Sequence, residues 1–107
     1  MTDAEAFSGR MGELQKLRVA VVILLSQENS RLLSRRQRVA GKEIEVMCAE
    51  RDLDQGGATP AYAERLAVVC AEDAALRQDL SETEAEVHKL ETLLARIDTD
   101  IAALCQS

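Results

Sequence analysis

The chain has 107 residues, of which 47% are hydrophobic and only 2% aromatic, and its formal net charge is −6. Its length limits it to one domain, predicted to span residues 1–107. The negative charge argues against nucleic acid as the main partner, because phosphate binding requires a basic surface. The shortage of aromatic rings excludes stacking platforms for single strands, and the apolar residues are mainly those that fill contacts between helices.

The first predicted element is a long helix over about residues 3–53. Residues 2–5 (Thr-Asp-Ala-Glu) have the form of a capping box, which predicts a helix start near residue 3. Gly9 and Gly12 predict fraying as far as about Met11, since each glycine costs about 1 kcal/mol relative to alanine. Seven-residue spacing then predicts one buried row that only Arg18 interrupts. Its members are Met11, Arg18, Leu25, Leu32, Val39, Val46 and Leu53.

A second row on this helix begins with apolar residues and then becomes charged. It starts at Phe7, Leu14 and Val21 and is expected to fail at three later positions, which are Glu28, Arg35 and Lys42. Four apolar residues beside the main row are expected to broaden the buried stripe instead. These are Leu33, Ala40, Ile44 and Met47.

Residues 19–25 (Val-Ala-Val-Val-Ile-Leu-Leu) are a conspicuously apolar run within helix 1. A membrane-spanning helix needs about 20 such residues, so we interpret the run as soluble helix buried on more than one side. It also lies too far from a basic N-terminal region to be a secretory signal, which predicts a cytoplasmic protein. Cys48, Cys70 and Cys105 are then expected to be reduced thiols in or beside the helix contacts, with a redox role left open.

Residues 54–60 (Asp-Gln-Gly-Gly-Ala-Thr-Pro) predict the turn between two helices. Two glycines can supply positive φ at a helix end, Thr59 is a good N-cap, and Pro60 suits a first helical position. The turn divides the chain nearly in half.

The second predicted helix spans about residues 61–105 and carries the most regular pattern in the chain. A 4-3 spacing continues over thirteen positions, of which only Asp73 and Thr83 are polar. Such spacing winds an apolar stripe along one face, which must be buried against another helix. The thirteen positions are Tyr62, Leu66, Val69, Asp73, Leu76, Leu80, Thr83, Val87, Leu90, Leu94, Ile97, Ile101 and Leu104.

Two helices of similar length joined by a short turn pack antiparallel, so the predicted fold class is all-α, a two-helix coiled-coil hairpin. With the turn centred near Gly57, residue i should lie opposite about residue 114 minus i. Five bases between Arg31 and Lys42 then face a group of acids that begins at Glu72, which supports this register. A hairpin closed on itself and a domain-swapped dimer are both compatible with the pattern.

The open end of the hairpin, away from the turn, carries more apolar residues than one seam can cover. We therefore expect it to bind a protein partner or a second copy, and the pattern favours a homo-oligomer. The predicted partner-binding residues are Leu17, Val19, Val21, Val22, Ile23, Leu24, Leu25, Leu90, Leu93, Leu94, Ile97 and Ile101.

Motifs for catalysis or cofactor binding are not found, so we predict a protein that is not an enzyme and has no cofactor or metal. His88 with Glu84 provides two ligands, which do not make a metal site. Asp73 is interpreted as a register-setting partner of the bases on helix 1 rather than a catalytic group. Nucleic-acid binding through residues 31–42 is a minor alternative, because the opposing acids would compete for that charge.

Residues 24–33 (Leu-Leu-Ser-Gln-Glu-Asn-Ser-Arg-Leu-Leu), followed by Lys42 and by a second long helix with Leu66, Glu72 and Leu76, carry a family resemblance. Over roughly residues 17–97 the chain resembles flagellar export chaperones of the FlgN type. It is also similar to other helical-hairpin proteins of flagellar and type III secretion, including FliJ-like stalk proteins. It departs from the chaperones at residues 34–36 (Ser-Arg-Arg), where they usually have a Gly-Asp-like break.

The resemblance implies a chaperone or adaptor that uses no ATP and holds the amphipathic C-terminal helix of a secreted structural subunit. The function predicted from the sequence is therefore a non-enzymatic helical chaperone or adaptor for a secretion apparatus, with the apolar open end as its binding surface. The alternative is a structural coiled-coil scaffold that self-associates through the same residues.

Overall fold

The computed structural model describes residues 2–57 and 59–106, which form two helices. Helix α1 spans Asp3–Gly56 and helix α2 spans Pro60–Gln106. The helices pack against each other as an antiparallel hairpin, and the described residues contain no strand. The predicted all-α hairpin is confirmed. Ala58, which belongs to the predicted turn, lies outside the described residues.

The start of α1 is held by the predicted capping box. The Thr2 amide donates to Glu5 Oε2 at 3.2 Å, and the Glu5 amide donates in return to Thr2 Oγ1 at 3.1 Å. The helix then continues without a break through Gly9 and Gly12. The reciprocal cap satisfies backbone donors that would otherwise favour opening of the first turn, and the expected fraying as far as Met11 stays a prediction.

The turn between the helices depends on one glycine rather than two. α1 continues to Gly56, three residues beyond its predicted end, and Gly57 then adopts a φ of +79°. Helix α2 begins at Pro60, as predicted, and the Tyr62 amide donates to Thr59 Oγ1 at 3.5 Å. The left-handed conformation of Gly57 ends α1. Gly56 keeps a helical conformation, so only one of the two glycines supplies positive φ.

Replacing Gly57 with alanine is expected to destabilise the hairpin by about 1 kcal/mol, because a Cβ atom is strained at positive φ. Gly12 offers a matched control, since it lies inside α1 and a Cβ placed there would meet nothing within 4 Å beyond its chain neighbours and the adjoining helix backbone. Its replacement by alanine should stabilise the protein by about 1 kcal/mol. Urea denaturation of both variants measures the two effects. Equal stability of the Gly57 variant and the parent would contradict a required left-handed turn.

Contacts divide the chain into two compact units, each containing a part of both helices. Unit 1 comprises Met1–Ser30 and Ala85–Ser107, and unit 2 comprises Arg31–Glu84. In unit 1, a buried cluster of Val21, Leu90 and Ile97 forms the core. The partly buried side chains that pack against this cluster are Leu25, Leu94 and Ile101.

Unit 2 also has a buried seam, but charged residues of α1 take part in it. Leu32, Val39 and Val69 are buried, while Arg35 and Lys42 are half-buried at the positions where the second row was expected to fail. The 4-3 spacing keeps these positions on the seam, and their long stems can lie along it with the charged ends at its edge.

The four residues expected to broaden the buried stripe lie instead on the outside of α1. The large ones are 60–64% exposed, and Ala40 is exposed as well. That expectation is wrong, because a seam shared with a single helix is too narrow to reach them. The exposed residues are Leu33, Ala40, Ile44 and Met47.

The seam predicted on α2 is confirmed almost throughout. Twelve of its thirteen positions are buried or half-buried, and Tyr62, next to the turn, is 37% exposed. The polar Thr83 is among the most deeply buried residues, at 2% exposure. The regular spacing of α2 therefore describes its buried face well, polar positions included.

Candidate protein-binding surface

The twelve residues predicted to bind a partner divide into two groups of six in unit 1. Six belong to the seam, either buried in its core or packed against it, and are not available on the outside. They are Val21, Leu25, Leu90, Leu94, Ile97 and Ile101. The other six are exposed, and we call them the unit 1 surface. They are Leu17, Val19, Val22, Ile23, Leu24 and Leu93.

The unit 1 surface is unusually apolar for the outside of a helix pair. Its side chains are 39–59% exposed, with Val19 and Ile23 the most open. Residues 17–24 make more than two helical turns, so their side chains point in all directions around α1. A helix that is apolar on every side is typical of one covered by more than a single neighbour. A second covering element is therefore expected in this part of α1.

One edge of this surface is formed by leucines from both helices. Leu17 and Leu24 each precede a seam residue of α1, and Leu93 precedes a seam residue of α2. In an antiparallel pair, these equivalent positions border the seam on the same side. Lys89 and Arg96 lie four residues before and three residues after Leu93, so they are its neighbours on the α2 surface.

Lys89 and Arg96 lie along the outer border of the leucine edge. Neither Lys89 nor Arg96 forms an ion pair within residues 2–57 and 59–106. They are seven residues apart, which places their charges along one line of α2. In a chain of formal net charge −6, Lys89 and Arg96 thus place two positive charges beside the exposed leucines.

A polar pair lies at the opposite edge. The Arg18 Nε–H donates to Asp98 Oδ1 at 2.7 Å across the two helices. This hydrogen bond, together with the charge of Asp98, raises the pKa of the Arg18 guanidinium above its usual value. Both side chains are about half-exposed. Arg18, which interrupts the apolar row of α1, therefore contacts α2 through an ion pair instead of through a buried apolar side chain.

In unit 2, polar contacts replace apolar layers of the seam. Arg35 Nη1 donates to Thr83 Oγ1, and the Thr83 hydroxyl donates to the Asp79 carbonyl at 2.8 Å. Lys42 Nζ lies 2.7 Å from Glu45 Oε2 and 3.4 Å from Glu72 Oε2. The hydrogen bond to Glu45 is the main reason why the pKa of Lys42 is raised. These contacts join the helices at a register close to the predicted one.

The sequence predicts that Asp73 pairs with the bases of α1, but the structure shows a different partner. Its Oδ2 accepts a hydrogen bond from Arg77 Nε of the same helix at 2.9 Å, which raises the pKa of Arg77. Its Oδ1 is buried and has no hydrogen-bond partner in the described structure. The interpretation as a match for the basic run is wrong, because Arg77 lies one turn away on α2 and Lys42 pairs with Glu45 and Glu72.

The remaining candidates for chemistry are dispersed. His88 is exposed, Cys48 is half-buried, and Cys70 and Cys105 are exposed free thiols. Within the described ranges, no three or more His, Cys, Asp or Glu side chains come together as a possible metal site. Neither helix, over the same residues, has an apolar stretch of the length and hydropathy that crossing a membrane requires.

Sequence reasoning missed a second apolar row, which lies on the outside of α1 in unit 2. It runs through Leu33, Ala40, Ile44 and Met47, with opposite charges beside it at Arg36 and Glu43. The spacing of these four residues is visible in the sequence. It is easily counted as part of the buried stripe because each residue lies close in sequence to the seam row of Leu32, Val39 and Val46, although the two rows face opposite sides of the helix.

Comparison with known proteins assigns no function to the unit 1 surface. No protein-family model, no curated protein and no solved structure matches the chain, so the resemblance to export chaperones stays a prediction.

Proposed function

We propose that the chain is a non-enzymatic helical adaptor or chaperone whose unit 1 surface binds an amphipathic helix of a protein partner. The observation that carries the proposal is the set of six exposed apolar side chains in unit 1. Complete burial of one large apolar side chain contributes about 1.5–3 kcal/mol. A partner that covers even half of the exposed apolar area of these six side chains would therefore gain enough free energy to bind. Exposed apolar clusters with polar rims commonly mark protein-binding sites.

The charges around the leucine edge define the chemistry of the partner. A helix lying along Leu17, Leu24 and Leu93 would present apolar residues at positions i, i+3 or i+4, and i+7. Carboxylates spaced seven residues apart on that helix would face Lys89 and Arg96. The resemblance to export chaperones suggests one source, the C-terminal helix of a secreted flagellar or type III subunit met in the cytoplasm.

A designed peptide tests this proposal directly. The probe is an amphipathic helix with a leucine stripe and glutamates at seven-residue spacing, labelled for fluorescence anisotropy. Leu24→Asp or Leu93→Asp should raise its dissociation constant at least about tenfold, because a carboxylate would enter the apolar contact. Leu33→Asp is the matched control, since Leu33 is 60% exposed but belongs to unit 2. Circular dichroism verifies that each variant keeps its helices.

A charge reversal sharpens the same experiment. Lys89→Glu with Arg96→Glu should weaken binding of the glutamate peptide and strengthen binding of a peptide with lysines at those positions. Equal binding of both peptides by both proteins would contradict the proposed rim. Equal loss of binding in the Leu33→Asp control would contradict the location of the site.

The second candidate function is a structural scaffold that self-associates permanently through the unit 1 surface. It is favoured by the apolar character of residues 17–24 on every side of α1, which exceeds what α2 alone covers. This candidate predicts a thermal midpoint that falls on hundredfold dilution and no binding of either peptide. Peptide binding would favour the adaptor, because a unit 1 surface permanently covered by a second copy has no room for the peptide.

A further inference from the structure

The outer side of α1 in unit 2 carries its own interaction pattern. We call residues 33, 37, 40, 44 and 47 the outer row. Its three large apolar members, Leu33, Ile44 and Met47, are 60–64% exposed and are the most exposed large apolar residues of the described chain. A 4-3 spacing of this kind forms the contact face of a coiled coil. The row faces away from the seam, in which Leu32 and Val39 are buried.

Two opposite charges flank the outer row on the same side. Arg36 precedes Gln37 and Glu43 precedes Ile44, so the two charges occupy equivalent positions seven residues apart. Neither forms an ion pair within the described residues, although the charge of Glu43 contributes to the raised pKa of Arg77. Both remain able to pair with a neighbouring molecule.

The outer row is complementary to itself when a second copy lies antiparallel. With the symmetry axis between Gln37 and Ala40, Leu33 of each copy meets Ile44 of the other. In this register, Arg36 of each copy faces Glu43 of the other, which gives two identical ion pairs. A shift by one heptad would place Glu43 against Glu43, and a parallel arrangement would leave both charges unpaired.

We propose that the chain forms a two-fold symmetric homodimer through the outer row of unit 2, with the two α1 helices antiparallel. The interface is closed, since each copy offers the same patch to the other. This contact is independent of the unit 1 surface and goes beyond the proposed adaptor function. The dimer carries two unit 1 surfaces, so a partner with two binding helices would be held more tightly through avidity.

Sedimentation equilibrium of the full chain tests the dimer. The parent protein should dimerise at micromolar concentration, and Ile44→Asp should convert it to a monomer. Leu24→Asp, on the unit 1 surface, should leave the dimer intact. A parent protein that stays monomeric to about 100 μM, where even a weak pairing would be populated, would overturn the proposal. So would a dimer that Leu24→Asp disrupts and Ile44→Asp does not.

A charge exchange tests the register. Arg36→Glu and Glu43→Arg should each weaken the dimer about tenfold, because each variant places like charges opposite each other twice. The double variant R36E/E43R should restore the parent affinity, and an equimolar mixture of the two single variants should form a heterodimer. A double variant as weak as the single ones would overturn the antiparallel register.

These measurements separate the dimer from the proposed function. Loss of peptide binding in Leu24→Asp with an intact dimer supports both proposals. An intact dimer in a protein that binds no peptide would contradict the adaptor alone, and peptide binding by a monomeric parent would contradict the dimer alone.

Discussion

Replacing Val21 with aspartate is expected to unfold the helix pair of unit 1. Val21 is 2% exposed and forms the core cluster with Leu90 and Ile97. The change removes a buried apolar side chain and forces a carboxylate into the seam, which together cost roughly 4 kcal/mol or more. Because many domains are stable by only about 5–15 kcal/mol, a large part of the total would be lost.

Ile23 is the matched control for this prediction. It lies two residues further along α1 and is 53% exposed. Ile23→Asp should therefore change the free energy of unfolding by less than about 1 kcal/mol, because its carboxylate stays in water. Urea denaturation followed by circular dichroism, at low protein concentration, measures both. Similar losses in the two variants would contradict the division of residues 17–25 into a buried and an exposed set.

Replacing Asp73 with leucine is expected to stabilise the protein. Asp73 occupies a seam position, its side chain is only 20% exposed, and its Oδ1 is buried without a partner. Leucine would remove that unsatisfied oxygen and add apolar contact, for a gain of about 1–3 kcal/mol. Loss of the ion pair with Arg77 costs little free energy, since the Arg77 side chain is about half-exposed and water can hydrate its guanidinium. In a domain near this size, each kcal/mol raises the melting temperature by about 4–8 °C.

The same substitution at Asp79 is the control. Asp79 is exposed, and its contact with Thr83 uses the backbone carbonyl, which the change leaves in place. Asp79→Leu should alter the melting temperature by no more than a few degrees. A lower melting temperature for Asp73→Leu would show that the carboxylate has a favourable partner in solution, and would contradict the unsatisfied oxygen.

Local features of the fold could be predicted because their causes are local. The capping box at Thr2 and Glu5, the N-cap at Thr59 and the start of α2 at Pro60 depend on bonds between residues a few positions apart. The α2 seam was predictable for a related reason. In a helix with 3.6 residues per turn, the 4-3 spacing puts these residues on one face, and this holds whichever element packs against that face. The end of α1 was predicted three residues too early, because the helix continues until the left-handed conformation of Gly57 ends it.

The candidate site could be predicted only in part. Residues 17–25 were identified as too apolar for one seam, and seven-residue spacing placed Val21 but not Ile23 on a seam row. The predicted binding surface nevertheless counted the buried Val21 together with the exposed Ile23. Both are large apolar residues, and their burial depends on which side of α1 faces α2. The outer row was missed for the same reason, because Leu33 and Ile44 were counted with the seam.

The sequence by itself therefore determined the number of helices, their approximate ends and their antiparallel order. Periodicity, caps and turn residues depend on the backbone and on near neighbours, which one chain already contains. Only the tertiary structure decided that Arg35 and Lys42 join the seam, that Asp73 pairs within its own helix, and that Leu33 and Ile44 face outward. These features depend on which side of α1 faces α2. Contacts between the two helices decide that rotation, and neither helix alone contains them.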